Sequence, residues 1–204
     1  MKIICIGLNY KKHAMELGWN IPEEPVVFLK PDSSILKNNK PFFLPDFSSN
    51  IHYEVEVVLK ISKLGKGISA KFAHRYFDEI TLGIDITARD LQNKLAAGGM
   101  PWELSKCFDG AAPLGRFIPA SSVIMDINNL DFRLEINGKT RQAGNTSDMI
   151  FGINKIVEYV SRFFTLKTGD LIFTGTPPGV GQLHKNDNLI AYLTDEPVLD
   201  FRIK

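Results

Sequence analysis

The clearest pattern of hydrophobic and polar positions lies between residues 50 and 61, in the stretch NIHYEVEVVLKI. Every second residue there is apolar, which is typical of a β-strand with one buried face. The other face begins with His52, Glu54 and Glu56, and residues two apart on a strand point the same way, roughly 7 Å from each other. Two interpretations are open. The face is solvated, which the spacing alone favours, or the two carboxylates hold something.

The other segments predict a β-rich chain with a few helices. Helical spacing or helix-forming residues mark four segments, at 10–18, 69–80, 89–99 and 146–164. Ser147 is the expected N-cap of the last of these helices, with Asp148 at its positive end. Apolar runs predict strands at 2–7, 80–88, 130–145 and 169–181, and Asn137-Gly138 is a strong hairpin signal. The segment 20–34 contains three prolines and is expected to be an irregular crossing.

These elements indicate an α+β fold with a β-rich core. No internal repeat or linker divides the sequence, so residues 1–204 are expected to form a single domain. The chain is 44% hydrophobic and 23% charged, which is ordinary for a globular protein.

Charge and cysteine content narrow the function classes. The formal net charge of +1 gives no broad field for nucleic acid or an anionic membrane, so neither partner is expected. No window approaches the about 20 apolar residues of a membrane-spanning helix. The start of the chain is expected to be a strand, because a signal peptide needs a longer apolar stretch. Cys5 and Cys107 are interpreted as reduced, buried thiols of a cytoplasmic protein.

Asp85 is the third candidate carboxylate. It lies in ITLGIDITA, where its neighbours are apolar, Gly or Thr, so a charged side chain there needs a partner. One interpretation joins Asp85 to the pair Glu54 and Glu56 as oxygen ligands for Mg²⁺ or Mn²⁺. The other is a salt bridge to Arg89 or Lys106. The residues alone leave both open.

His13 and Glu16 are three positions apart on a predicted helix and therefore share a face. A carboxylate beside an imidazole fixes its tautomer and raises its basicity, as a general base requires. The alternative is an ordinary pair on a helix surface, which the spacing alone favours.

The stretch FTGTPPGVG lacks the ending of a phosphate loop. It either directs Thr176 and backbone N–H groups at a small anion or is simply a turn.

Taken together, seven stretches resemble the fumarylacetoacetate hydrolase family, in particular its short acylpyruvase-like members. They are GLNYKKHAME, PVVFLKPDSS, HYEVEVVLKI, GIDITARDLQ, MPWELSKCFDGAAPLG, GNTSDMIF and GDLIFTGTPPGVG, in the family's order over nearly the whole chain. The resemblance implies a mixed β-sandwich roll, usually a homodimer, that binds Mg²⁺ or Mn²⁺.

The resemblance also assigns roles to positions of this sequence. It implies that Glu54, Glu56 and Asp85 are the metal ligands and that His13, Glu16 and Lys106 are catalytic. It places Arg89, Gln92 and Thr176 at the substrate. The segment from His13 to about Val27 is expected to be a mobile lid. Several acylpyruvases carry Arg where this chain has Leu8, so the substrate of this chain is left open.

The activity expected from the resemblance is hydrolysis of the C–C bond of acylpyruvates or related 1,3-diketo acids, with a small 2-oxo acid or diketo acid as substrate. His13, oriented by Glu16, would activate water, and the cation would act as a Lewis acid. The alternative is an isomerase, tautomerase or decarboxylase of 2-oxo dicarboxylates such as oxaloacetate. A remote alternative is a non-catalytic binding protein, which would have no need of the dyad.

Overall fold

The computed structural model describes residues 1–16, 18–122 and 126–204, and strands dominate it. The strands are β1 Ile3–Gly7, β2 Val26–Lys30, β3 Ile35–Leu36, β4 Ile51–Tyr53, β5 Val55–Ile61, β6 Phe77–Ile84, β7 Thr87–Ala88, β8 Ala112–Pro113, β9 Ile118–Pro119, β10 Asp131–Ile136, β11 Lys139–Asn145, β12 Leu171–Phe173, β13 Gly181–Gln182, β14 Asn188–Leu193 and β15 Glu196–Arg202. The α-helices are α1 Lys11–Glu16, α2 Arg89–Ala97, α3 Glu103–Lys106 and α4 Ile153–Phe163. Short 3₁₀ helices lie at Asp32–Ser34, Ala70–Arg75, Ala120–Ser122 and Thr146–Asp148.

Two sheets carry the architecture. A six-stranded mixed sheet has the order β2-β1-β12-β5-β6-β9, and a four-stranded antiparallel sheet has the order β11-β10-β14-β15. Two smaller sheets, β13-β4-β7 and β3-β8, extend the structure beside them. This β-rich α+β arrangement confirms the fold class predicted from the sequence.

The alternation of β5 places its two faces in different environments. Val55, Val57, Leu59 and Ile61 belong to the main core, together with residues of the four-stranded sheet and α4. The opposite face carries Glu56 and then Val58, which packs in a second apolar cluster. The members of that cluster are Ile3, Cys5, Val58, Ala112, Leu114, Leu171 and Phe173. Both faces of β5 are therefore covered by protein.

Several local predictions are confirmed. The hairpin at Asn137-Gly138 joins β10 to β11, and both residues have positive φ, 54° and 72°, as a tight turn of this type requires. The strand predicted at 2–7 is β1, and the helix predicted at 89–99 is α2. Both cysteines are free thiols, and Cys5 is buried as predicted, but Cys107 is only half-buried. None of the helices in the described part of the chain is long and apolar enough to cross a membrane.

The irregular crossing predicted at 20–34 is wrong. Val26–Lys30 forms β2, which pairs antiparallel with β1 over five residues. Pro25 and Pro31 flank this strand and do not interrupt it. Because β2 is the edge strand of the sheet, the prolines on either side cost it no inner ladder hydrogen bond.

The helix predicted at 69–80 is also wrong. Only a 3₁₀ helix forms there, at Ala70–Arg75, and Phe77 already belongs to β6. Phe77 pairs with Ile61 at the end of the long β5–β6 ladder. Pairing with β5, which is distant in sequence, overrides the local helix pattern.

The last predicted helix begins later than expected, at Ile153, and its N-cap is Gly152. Ser147 is therefore not its cap, and Asp148 is not at its positive end. The residues between the 3₁₀ helix and α4 bind instead to Asn9. The Ile150 amide donates to the Asn9 carbonyl at 2.8 Å, and the Phe151 amide donates to Asn9 Oδ1 at 2.8 Å.

Candidate active site

Strand pairing brings two of the candidate carboxylates together. Glu54 occupies the break between β4 and β5, and Asp85 follows the end of β6. Since Val55 pairs with Ile84, the next residues along, Glu54 and Asp85, lie beside each other. The Asp85 amide donates to the Glu54 carbonyl at 2.8 Å. The backbone pairing at the break between β4 and β5 therefore places the side chains of Glu54 and Asp85 next to each other at one end of the sheet.

Two glycines lie next to the third carboxylate, Glu56. The residue opposite it on β6 is Gly83, where a Cβ would lie 2.6 Å from the Phe173 ring. The Gly175 amide donates to Glu56 Oε2 at 2.7 Å. Gly175 has φ of +98°, and a Cβ there would lie 2.6 Å from Asn9 Cβ. Both positions therefore require glycine.

The interpretation of this face as solvated is wrong. Glu54, Glu56 and Asp85 are 4%, 2% and 1% exposed. The apolar cluster beyond Val58 and the segment that carries Lys106 cover the face. Three carboxylates buried side by side are costly unless cations compensate them, which is a strong physical argument that this cluster binds positive charge.

The geometry of the three carboxylates fits one hard divalent cation. Glu54, Glu56 and Asp85 each offer an oxygen, and the three oxygens lie within 4.8 Å of one another. Oxygens bound to one Mg²⁺ at about 2.0–2.1 Å would be about 3–4 Å apart, so only small side-chain adjustments are needed. An all-carboxylate donor set suits Mg²⁺ or Mn²⁺ and not a thiolate-preferring metal.

Lys106, on α3, is buried inside this cluster. Its Nζ donates to Glu54 Oε2 at 2.8 Å, to Asp85 Oδ2 at 2.6 Å and to Thr87 Oγ1 at 2.6 Å. The salt bridge between Asp85 and Lys106 considered from the sequence is therefore present. Arg89 does not contact Asp85 and binds Glu54 instead.

Lys30 is a site residue that the sequence analysis missed. It ends β2, and its side chain is fully buried. Its Nζ lies 2.8 Å from Asp85 Oδ1 and donates to the carbonyls of Lys106 and Ala111. The Lys30–Asp85 contact is not aligned as a hydrogen bond, so it is an ion pair, and that carboxylate oxygen accepts no hydrogen bond from the described residues. A lysine directly before a proline gives no local signal of burial.

Arg89 and Gln92 extend the cluster along α2. The Arg89 guanidinium donates to Glu54 Oε1 and to Gln92 Oε1, and its Nε donates to His52 Nδ1 at 3.4 Å. His52 Nε2 lies 2.8 Å from Asn50 Oδ1. Burial and the Arg89 charge lower the pKa of His52 to about 4, so its ring is neutral and accepts from Arg89.

The electrostatics separate the two glutamates. Burial alone would raise the pKa of Glu54, but the charges of Lys106 and Arg89 outweigh it and hold the pKa well below its usual range. Burial and the neighbouring Asp85 and Glu54 charges raise the pKa of Glu56 well above its usual value. No ammonium or guanidinium of the described residues forms an ion pair with Glu56. Glu56 is therefore the carboxylate with most to gain from a bound cation.

His13 lines the same cavity, and Glu16 lies beside it. The interpretation as a pair on the helix surface is wrong, because His13 is buried. Its Nδ1 lies 3.2 Å from Glu16 Oε2, and Glu16 also accepts from the Gly179 amide at 3.1 Å. Glu16 is thus fixed between the short helix and the Pro/Gly loop, and it orients the imidazole.

Thr176 lies in the loop after β12 and also lines the cavity. Its hydroxyl donates to the Val55 carbonyl at 2.9 Å and accepts from Gln142 Nε2 at 2.9 Å. Gln142 in turn accepts from the Val55 amide and donates to the Pro177 carbonyl. Gln142, which the sequence analysis did not identify, therefore fixes this loop against the strand that carries Glu56.

The cavity around these groups is small, about 20 Å³, and all nine predicted site residues except Glu16 line it. The others that line it are Ile6, Gly7, Leu8, Trp19, Phe28 and Trp102. A larger cavity, about 490 Å³, is lined by Lys37, Lys60, Arg116 and other residues and contains none of the predicted site residues. Cavity size alone therefore does not locate the site.

Comparison with known proteins finds relatives that match most of the chain. The chain is 40% identical to the oxaloacetate tautomerase of Escherichia coli strain K12 over 188 residues, which is 92% of this chain and 86% of the relative. It is 45% identical to the mitochondrial oxaloacetate decarboxylase of Dictyostelium discoideum over 181 residues, which is 88% of this chain and 83% of the relative.

A solved structure, that of fumarylpyruvate hydrolase from Pseudomonas aeruginosa in complex with Mn²⁺ and pyruvate, superposes with a TM-score of 0.93 at 34% identity. The match covers all of this chain and 89% of the other. The family model described as fumarylacetoacetate (FAA) hydrolase C-terminal matches residues 2–203. On this match and these relatives, the chain is an enzyme of the fumarylacetoacetate hydrolase family, in which the relatives named above are a tautomerase, a decarboxylase and a hydrolase.

Proposed function

We propose that this enzyme acts on oxaloacetate and similar 2-oxo dicarboxylates and that its main reaction is keto–enol tautomerisation. The observation that carries the proposal is the buried group of Glu54, Glu56 and Asp85 directly beside the Lys106 ammonium. The names of the tautomerase and decarboxylase relatives support the same substrate class. Both reactions need negative charge stabilised on the 2-oxo group, and neither needs a second substrate.

The three carboxylates would hold one Mg²⁺ or Mn²⁺. When bound, such a cation supplies Lewis-acid stabilisation of negative charge that develops on a 2-oxo acid. Lys30 and Lys106 fix Asp85, and Arg89 fixes Glu54, so both side chains are held in place by ion pairs before a cation binds. This prior arrangement reduces the reorganisation that cation binding requires.

His13 is the proposed base. Tautomerisation removes a proton from C3 of oxaloacetate and delivers one to the oxygen on C2, and the reverse reaction returns it. Glu16 binds Nδ1, which leaves Nε2 to take the C3 proton and to deliver it to the C2 oxygen. The Glu16 carboxylate stabilises the imidazolium while it holds the proton.

Lys106 is the proposed electrostatic partner of the reacting oxygen. Burial lowers its pKa, but the charges of Asp85 and Glu54 outweigh burial and raise the pKa, so the side chain stays protonated. A fixed, buried ammonium stabilises the charge on the C2 oxygen more than water would. The same group would serve decarboxylation, in which the C3–C4 bond breaks and its electrons pass to that oxygen.

A second candidate function is hydrolysis of acylpyruvates. The His13–Glu16 dyad supports it, because hydrolysis needs an attacking water that His13 would activate by removing its proton. The similarity to a fumarylpyruvate hydrolase points the same way. Tautomerisation is preferred because the relatives named for oxaloacetate are the more similar in sequence, at 40% and 45% identity against 34%.

The test is a substrate panel with the wild-type protein. Enol absorbance of oxaloacetate, release of pyruvate from oxaloacetate and loss of acetylpyruvate are followed with Mg²⁺ and again with EDTA. Buffer with Mg²⁺ alone corrects for uncatalysed reaction. We expect the fastest Mg²⁺-dependent change in oxaloacetate tautomerisation. Faster turnover of acetylpyruvate would favour the second candidate, and no acceleration of any reaction would contradict both.

A further inference from the structure

The chain has two tryptophans, and they meet at the active-site cavity. Trp19 follows α1, and Trp102 directly precedes α3. Their ring centroids are 5.4 Å apart with the ring planes at 62°, which is an edge-to-face contact. Both side chains line the cavity that contains Glu54, Glu56 and Asp85. The pair therefore joins the segment that carries His13 to the segment that carries Lys106.

A third ring extends the pair into a wall. Phe28 packs edge-on against Trp102 with centroids 5.9 Å apart, and the Lys106 ammonium lies 5.4 Å from the centre of the Phe28 ring. On its other side, Trp102 faces Gly7, where a Cβ would lie 3.4 Å from the indole. The wall formed by Trp19, Phe28 and Trp102 is thus packed against neighbours and begins directly beside the cluster.

The wall leaves little space. The cavity volume of about 20 Å³ is close to the room for a single water molecule. The three rings are half of the cavity-lining residues outside the predicted site residues, so the far end of a substrate bound at the carboxylate cluster would contact this wall. Trp19 and Trp102 are both half-buried and both lie outside the sheets, so neither ring is held by strand pairing.

We propose that Trp19 and Trp102 determine substrate size, and that they admit 2-oxo acids with a short polar end, such as a carboxylate, and exclude those with bulky acyl groups. This inference rests on the proposed function, since it concerns the far end of the same substrate. Any substrate must displace part of the wall, and a short dicarboxylate displaces less of it than a bulky acyl group. A bulky acyl group must separate the two rings.

The test compares Trp19→Ala and Trp102→Ala with the wild type. The measured quantity is the ratio of kcat/KM for benzoylpyruvate to kcat/KM for oxaloacetate, with Mg²⁺ present. We expect this ratio to rise at least about tenfold in Trp19→Ala, the scale on which a pocket discriminates a few carbon atoms. Trp19→Phe, which keeps an aromatic ring, should restore most of the selectivity. Phe163→Ala removes an exposed aromatic side chain on α4 that lines none of these cavities, and it should leave the ratio unchanged.

Two results would overturn the inference. One is an unchanged ratio in both alanine variants, and the other is an equal rise in Phe163→Ala, which would indicate general loosening of the protein. A loss of activity through misplaced Lys106 would affect both substrates, so the ratio separates selectivity from damage.

A binding experiment separates this inference from the proposed function. Calorimetry measures the dissociation constants of pyruvate and phenylpyruvate with Mg²⁺ present. One outcome is that the wild type turns over no substrate but binds pyruvate more tightly than phenylpyruvate, while Trp19→Ala binds the two acids equally. In that case the selection for substrate size stands and the proposed function is wrong. Equal binding of both acids by the wild type would overturn the selection for substrate size. Binding of neither acid would overturn both.

Discussion

The ammonium nitrogen of Lys30 lies 2.8 Å from Asp85 Oδ1, and both side chains are fully buried. Removal of one partner of such a pair leaves an uncompensated charge in the interior. We therefore expect Lys30→Met to lower the free energy of unfolding by about 3–5 kcal/mol. Urea denaturation of the metal-free protein at neutral pH measures the change.

Lys60→Met is the matched control for Lys30→Met. Lys60 pairs with Glu79 at 2.5 Å, but these side chains are 38% and 36% exposed. An ion pair with that exposure contributes about 0–1 kcal/mol. Equal effects of the two substitutions would mean that the burial of Lys30 and Asp85 has no energetic consequence.

If Glu56 binds a cation, its replacement should stabilise the metal-free protein and should remove the stabilisation that Mg²⁺ gives. Glu56 is buried, and its only hydrogen bond from the described residues comes from the Gly175 amide. Glu56→Gln removes the charge, and the amide oxygen can still accept that bond. We expect the metal-free protein to become more stable by about 1–3 kcal/mol, the scale of the cost of burying a polar group.

The same substitution should abolish stabilisation by Mg²⁺. A ligand at a hundred times its dissociation constant stabilises a folded protein by about 2.7 kcal/mol. Thermal unfolding with EDTA and with excess Mg²⁺ measures both effects in wild type and variant. If Mg²⁺ stabilised both proteins equally, Glu56 would not be a ligand.

The three carboxylates could be identified from the sequence because their signals are local, but their burial could not. Glu54 and Glu56 were identified because alternation along one strand is visible in the sequence, and Asp85 because a carboxylate in an apolar run is unusual. Their burial was not predictable from that alternation. It results from the apolar cluster that packs on the second face of β5, and its residues come from distant segments.

The residues that the sequence analysis missed act through contacts distant in sequence. Lys30 reaches Asp85 and the carbonyl of Lys106, which are 55 and 76 positions away. Gln142 reaches Thr176 across 34 positions. The late start of α4 has the same origin, because Ile150 and Phe151 bind to Asn9. By contrast, the Asn137-Gly138 hairpin needs only its own two residues and was predicted correctly.

Asp170 predicts a pH dependence of stability. Its carboxylate accepts from the amides of Lys2 and Lys167 at 2.8 Å each and pairs with the Lys2 ammonium at 2.5 Å. Burial alone would raise the pKa of Asp170, but these hydrogen bonds and the Lys2 charge outweigh it and lower the pKa. A lowered pKa means that the stabilisation is complete above the unfolded-state pKa of about 3.9 and is lost as the pH falls through the folded-state value.

Asp170→Asn should therefore cost about 1–3 kcal/mol of unfolding free energy at pH 7, the scale of hydrogen bonds to a charged group. The difference from wild type should shrink below about pH 4, where the wild type loses its own carboxylate. Urea denaturation at several pH values gives both curves. A difference that stayed constant down to pH 3 would contradict the assignment to the ionised side chain.

The proposed division of labour between the proton carrier and the cation site can be tested with two substitutions. His13→Ala removes the base, so tautomerisation of oxaloacetate should slow by about 10²-fold or more, the usual scale for general base catalysis. Hydrolysis of acylpyruvates, where it occurs, should fall similarly. Decarboxylation of oxaloacetate should survive better, since breaking the C3–C4 bond needs no base. The affinity for Mg²⁺ should barely change, because His13 is not part of the carboxylate cluster.

Asp85→Asn should instead depress tautomerisation and decarboxylation together, because both depend on the same stabilised charge on the C2 oxygen. Its affinity for Mg²⁺ should fall, since an oxygen of Asp85 belongs to the cluster. Lys30 and Lys106 would also lose their carboxylate partner, so each variant is first compared with wild type by circular dichroism and urea denaturation. A folded His13→Ala and a folded Asp85→Asn with the same profile on both reactions would show that the two groups do not have separate roles.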